Sequence, residues 1–145
     1  MIYRAWSKKY FYISMNLHSQ QHPPLTPYTE TRPWGAFTEF TKNEPSTVKI
    51  ITVNDGGELS LQYHHHRDEF WYIVSGVGVV TIGDEHFTAH VGEKFFIPRK
   101  TNHRAKGVGG QLVFMEISFG EFDEKDIVRL EDHYGRLVQN NKATA

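Results

Sequence analysis

Four side chains in this sequence, Gln62, His64, Glu69 and His103, have the types and spacing of a metal site. Gln62, His64 and His66 occupy alternate positions of one run, so on a β-strand they project to one face while Tyr63 and His65 project to the other. Glu69 opens the next apolar run, and the segment GEKFFIPRKTNHR ends a strand at Pro98 before bringing in His103. Two imidazoles, a carboxylate and a carboxamide oxygen make a mixed nitrogen and oxygen set, suited to one divalent first-row ion with positions left open for water or substrate. Zn, Mn, Fe, Co and Ni all suit such a set, because affinity order and cellular availability pull in different directions. The sequence has no cysteine, which removes disulfides, a thiol nucleophile and thiolate ligands, and fits a reducing cytoplasm. Three adjacent histidines followed by Arg67 also describe a solvated polar strand; the surrounding spacing separates the two readings.

The elements that must position these residues read as strands. From Val48 to Ser118 short β-branched and aromatic runs (VKIITV, LSLQYH, FWYIVSG, VGVVTIG, HFTAH, KFFIP, QLVFMEIS) alternate with turn signals at Asn54 to Gly57, Ser75-Gly76, Gly83-Asp84 and Gly107 to Gly110. Such regular spacing predicts an all-β sandwich or barrel. The charged tail EFDEKDIVRLEDHYGRL, with Ile127, Val128, Leu130 and Tyr134, forms either a short helix or an extended cover. With 145 residues the chain has room for one domain. The expected organisation is a loosely ordered extension over residues 1–30, a folded domain over 31–137 and a flexible tail over 138–145. Met1 and Met15 are both candidates for the natural start, and Lys8 and Lys9 interrupt any signal peptide.

Sixteen Lys and Arg against 17 Asp and Glu give a formal net charge of -1, which argues against nucleic acid or a membrane surface as partner and leaves a small ligand. No run approaches the roughly 18 apolar residues of a membrane span. A homodimer formed through sheet edges is a further expectation.

The spacing resembles the cupin family. Gly56 is followed by five residues, Gln62-Tyr63-His64, four residues, Glu69, six residues and Gly76, which matches the first cupin motif apart from glutamine at the first histidine. Gly92, Pro98, Lys100 and His103 follow the second motif, with Lys100 in place of its glycine and Gly107 in place of its asparagine. The glutamine looks like the metal site of phosphomannose isomerases. Within these the chain resembles the isomerase domain of the type II family, through Arg32-Pro33-Trp34-Gly35, LSLQYHHHRDE from Leu59 to Glu69, Ile97-Pro98, His103-Arg104 and DIVRLEDHYGR from Asp126 to Arg136. This resemblance covers Thr31 to Leu137; Phe70 departs from it, standing where the family usually has another histidine. It implies a double-stranded β-helix, or jelly-roll barrel, with an interior pocket. The guanylyltransferase to which this domain is fused in many type II proteins has no glycine-rich counterpart in this sequence.

The resemblance further implies a metal-dependent isomerase that interconverts mannose 6-phosphate and fructose 6-phosphate by moving a proton between C1 and C2. Gln62, His64, Glu69 and His103 would hold the metal. Arg67, Lys100 and Arg129 are the catalytic candidates, with His66 as a second shuttle. Arginine rarely deprotonates, so Arg67 and Arg129 are read as electrostatic and phosphate-binding groups. The alternative for Arg67 and Arg129 is an ordinary surface or ion-paired arginine, and for Lys100 a solvated side chain. His18, His22, His86, His90 and His133 match no ligand spacing, and Trp34 and Trp71 read as packing residues, Trp71 sharing the parity of Glu69. A cupin oxygenase holding Fe(II) and a non-catalytic sugar-binding module are the competing functions.

Overall fold

The computed structural model describes residues 26–137, and every regular element among them is a strand. Among the described residues no helix is long and apolar enough to cross a membrane. The chain divides into two compact units at Lys42/Asn43. The first contains a hairpin, β1 (Tyr28–Arg32) and β2 (Gly35–Glu39), joined by a two-residue turn at Pro33-Trp34. A cross-strand hydroxyl bond between Thr29 and Thr38 at 2.9 Å holds it, and along β1 Arg32 pairs with Glu30 at 2.6 Å. Trp34, read from the sequence as a packing residue, sits at the turn and is 72% exposed. The expected boundary at Thr31 falls within β1.

The second unit carries nine strands in two antiparallel sheets. One, in the order β3-β10-β5-β8, is built from β3 (Ser46–Val53), β10 (Leu112–Phe119), β5 (Glu69–Ser75) and β8 (Lys94–Ile97). The other, in the order β11-β4-β9-β6-β7, is built from β11 (Val128–Glu131), β4 (Leu61–Tyr63), β9 (His103–Gly107), β6 (Val77–Ile82) and β7 (Glu85–His90). Nearly every neighbour in a sheet comes from a distant part of the sequence, the winding of a jelly roll, as the resemblance implies. Alternation explains the core. Trp71, Ile73, Phe95, Ile97, Leu112 and Phe114 face inward from the first sheet and meet Val80, Ile82, Ala89 and Ala105 from the second. At about 1.5–3 kcal/mol for each large side chain removed from water, this layer is the main source of stability.

The charged tail, for which helix and extended cover were both open, is extended: β11 pairs with β4, Val128 opposite Tyr63 and Arg129 opposite Gln62. Arg104 ties it to β9 through Glu131 at 3.2 Å. β9, His-Arg-Ala-Lys-Gly, carries no β-branched signal, yet it pairs with β6 over its whole length and seats His103 opposite both Ile82 and Gln62. The candidate starts Met1 and Met15 and the expected tail over 138–145 lie outside the described residues.

Candidate metal centre

Register decides which side chains meet. Directly paired residues share a face of an antiparallel sheet. The row Arg129, Gln62, His103, Ile82 therefore points into the barrel from four adjacent strands of the five-stranded sheet. From the facing sheet, Glu69 leads the inward row of β5, with Ser118 beside it on β10. His64 follows the end of β4 and turns in beneath the same row.

The result is a buried trio. His64, Glu69 and His103 are 2%, 1% and 1% exposed, and their candidate ligand atoms all lie within 4.8 Å of one another. His64 Nε2 is 3.1 Å from one Glu69 oxygen and His103 Nε2 is 3.5 Å from the other. Both rings are aimed by their other nitrogen. His64 Nδ1 bonds the carbonyl oxygen of Asp126, and His103 Nδ1 bonds that of Thr101 at 2.8 Å. A carbonyl only accepts, so each Nδ1 carries the proton and each Nε2 presents its lone pair inward. His103 Nε2 is buried without a hydrogen-bond partner. An orphaned acceptor beside a carboxylate and a second imidazole lone pair is what a divalent ion would complete, and the trio could hold one. Gln62, opposite His103, offers a carboxamide oxygen that accepts a bond from Ser60 Oγ at 2.6 Å and keeps a second lone pair.

Electrostatics keep the carboxylate ionised. Burial alone would push Glu69 up, but its contact with His64, the charge that His103 and His64 carry when protonated and the hydrogen bond from the Arg67 guanidinium together bring it down to about 2. His103 is lowered as well, since burial disfavours its charged form and favours the neutral ring that can ligate. Trp71 lies behind the site, its Nε1 donating to Glu69 at 3.2 Å and its ring stacking on Phe114 at 4.5 Å.

The remaining sequence candidates fall in different places. Arg67 is buried: its Nε donates to Glu69 at 2.9 Å, Nη1 to the Asp123 carbonyl at 2.9 Å, and its guanidinium lies 4.6 Å from the Phe122 ring centroid. Lys100 is exposed, and its backbone holds a left-handed φ of 63° while its N–H donates to the His64 carbonyl at 2.6 Å. Arg129 is half-buried on the row of Gln62, with a buried Nε that has no hydrogen-bond partner. Alternation placed His66 on the face of His64, but the strand ends at Tyr63 and His66 is exposed in the following bend. Asp126 was not singled out by the sequence. Its carboxylate accepts from the N–H groups of His65 at 2.8 Å and His66 at 3.0 Å, so the same residue holds the loop and aims His64. The only signal for it was its place in the DIVR segment, where an acid after a charged loop reads as solvated.

The family described as mannose-6-phosphate isomerase C-terminal matches residues 18–132. The xanthan biosynthesis protein XanB of Xanthomonas campestris pv. campestris is 45% identical over 107 residues, 72% of this chain and 23% of that protein. The alginate biosynthesis protein AlgA of Pseudomonas aeruginosa is 41% identical over 110 residues (74% and 23%), and a mannose-1-phosphate guanylyltransferase of Salmonella muenchen is 42% identical over 108 (73% and 23%). The chain thus spans about a quarter of the length of these curated relatives. Among solved structures, the capsular polysaccharide assembling protein CapF of Staphylococcus aureus aligns with a TM-score of 0.53 at 23% identity, over 74% of this chain and 35% of that one, a likeness of fold. With the jelly roll and its buried histidine and glutamate site in hand, the match over residues 18–132 makes this chain a member of the mannose-6-phosphate isomerase C-terminal family, of cupin fold.

Proposed function

We propose that this chain is a metal-dependent aldose–ketose isomerase that interconverts mannose 6-phosphate and fructose 6-phosphate. The observation that carries the reading is the convergence of two inward Nε2 lone pairs and an ionised carboxylate, with Gln62 on the same row. Relatives named for alginate and xanthan biosynthesis and for mannose-1-phosphate guanylyltransferase support a sugar-phosphate substrate.

Gln62, His64, Glu69 and His103 would hold the ion. A bound divalent ion supplies Lewis-acid stabilisation of negative charge on substrate oxygens. The rest falls to the chain. Arg67, fixed against Glu69, keeps that carboxylate ionised and adds a positive potential to the site. Arg129, with its open Nε on the row of Gln62, is the group to bind the phosphate or an enediolate oxygen. Lys100 at the exposed rim draws a dianionic substrate toward the mouth. The buried walls exclude water, which strengthens each of these interactions.

The test is an isomerase assay on purified chain loaded in turn with Zn, Mn, Fe, Co and Ni, with metal analysis of the same samples. Turnover should require bound metal, and His64→Ala or His103→Ala should lose metal and turnover together. Fully loaded protein without conversion of mannose 6-phosphate would refute the reading.

A further inference from the structure

An isomerase with these ligands lacks a base. Glu69, His64 and His103 face one another in the trio, Arg67 is bonded to Glu69 and does not deprotonate, and Lys100 is on the surface. Among the described residues one further carboxylate inside the barrel stands uncommitted. Glu116 lies on β10 with its side chain on the inner face, directly opposite Trp71 and Lys49 in register and diagonal to Glu69. Diagonal neighbours on one face of a sheet are about 7–8 Å apart, far enough to leave a sugar carbon between the two carboxylates and near enough for Glu116 to reach it.

Glu116 is only 8% exposed, yet it has no ion pair within 4 Å among the described residues. Its one hydrogen bond there is a 3.4 Å contact donated by Ser118 Oγ. Lys49, the cation across the strand, turns instead to Glu124 at 2.8 Å and to the face of Phe122. A carboxylate buried without a committed partner costs stability and is the arrangement expected of a group that exchanges a proton. Among its neighbours, Glu69 disfavours its charge while Lys49, Arg67 and His64 favour it; burial is the largest influence, and the balance lifts Glu116 to about 7.

We propose that Glu116 is the acid–base group that carries the proton between C1 and C2 of the substrate. The assignment rests on the isomerase reading. The Glu116 carboxylate takes the proton from C2 of open-chain mannose 6-phosphate; the C–H electron pair forms the C1–C2 double bond and the C1 carbonyl oxygen receives the negative charge. The hydroxyl proton of O2 passes to O1. The Glu116 carboxylic acid then returns its proton to C1 as the C2 carbonyl forms, leaving fructose 6-phosphate and the original carboxylate. No co-reactant is consumed.

The experiment compares metal-loaded wild type with Glu116→Gln and Glu116→Asp, reading metal content, melting temperature, kcat, KM, and deuterium entering C1 of fructose 6-phosphate in D2O. Glu116→Gln should keep its metal and fold, hold KM within a few-fold, lose about 10²–10⁴-fold in kcat and stop deuterium incorporation in proportion. Glu116→Asp, retaining a carboxylate on a shorter arm, should recover part of the rate. A Glu116→Gln protein that turns over within threefold of wild type overturns the assignment and leaves the isomerase reading intact. So does one that unfolds or sheds its metal, since the carboxylate is then structural. Metal-loaded wild type with no turnover at all overturns the isomerase reading and this assignment with it.

Discussion

Asp126 connects the tail to the metal site through three bonds, and its removal should be felt first as lost metal. In Asp126→Ala the main-chain carbonyl that accepts from His64 Nδ1 remains, but the carboxylate that accepts from the N–H groups of His65 and His66 at 2.8 and 3.0 Å disappears. Bonds to a charged acceptor contribute about 1.5–3 kcal/mol each when buried. Both face solvent here, so the pair is discounted to about 1–2 kcal/mol in total. A domain of this size should lose about 3–8 °C in melting temperature. The loop 123–126 is then freer to shift its carbonyl, and loss of such an outer support costs about 10–100-fold in metal affinity. Competitive titration against a chromophoric chelator measures that ratio, and calorimetry measures the stability. The pH dependence carries the sign. Burial works to raise Asp126, but the two backbone N–H groups and the nearby histidines prevail and hold it below the usual range. A lowered carboxyl contributes stability that is complete above its unfolded value near 3.9 and is lost as pH falls through the folded value. Glu69 and the other lowered carboxyls contribute to the same acid limb, so Asp126→Ala should lose less stability there than wild type, the difference being the Asp126 share. Metal affinity within twofold of wild type, with an unchanged acid limb, would refute the claim that Asp126 aims His64.

Two departures from the cupin motifs give opposite outcomes. Lys100 occupies a left-handed φ of 63°, so Lys100→Gly should stabilise by about 1 kcal/mol, measured by denaturant midpoint, while a rise in KM alone would report the loss of its charge. At Gly107 an added Cβ would lie 2.5 Å from the Asn54 carbonyl oxygen, and restoring the family's residue by Gly107→Asn should cost more than about 2 kcal/mol or prevent folding, visible as lost soluble yield and a lowered melting temperature. Trp71→Phe removes the donor to Glu69 and part of a fully buried ring; it should cost about 1–3 kcal/mol and weaken metal binding, and unchanged metal affinity would show that the indole bond does not position Glu69.

The candidate site was legible because its signal is local: Gln62, His64 and Glu69 lie within one short segment, His103 follows a strand that Pro98 ends, and the structure brings His64, Glu69 and His103 together. Period-two alternation likewise predicted that Trp71 shares the face of Glu69, which it does. What was not legible depends on register across distant strands. Nothing in His-Arg-Ala-Lys-Gly marks β9 as a strand until its pairing with β6 is known, and the tail chooses an extended form over a helix because β4 offers it an open edge. Alternation also failed where the strand stopped early, leaving His66 in solvent. Glu116 was invisible for the same reason as β9. In QLVFMEIS it reads as one charge in an apolar run, and only its register with Trp71 turns it inward.

The origin of the ligands has a mechanical consequence. Glu69 comes from the four-stranded sheet, whereas Gln62, His64 and His103 come from β4, its following bend and β9 of the five-stranded sheet. An ion bridging the trio would therefore cross-link the two layers of the barrel, and would bind the folded state far better than the unfolded one. Stabilisation then follows RT ln(1 + [L]/Kd), about 2.7 kcal/mol at a hundredfold excess over Kd, and chelation should remove it. The same bridge would set the distance from the substrate to Glu116 on β10, because β10 pairs directly with the strand that bears Glu69. Loss of a ligand from either sheet should thus lower melting temperature and rate together, whereas Glu116→Gln should lower the rate alone.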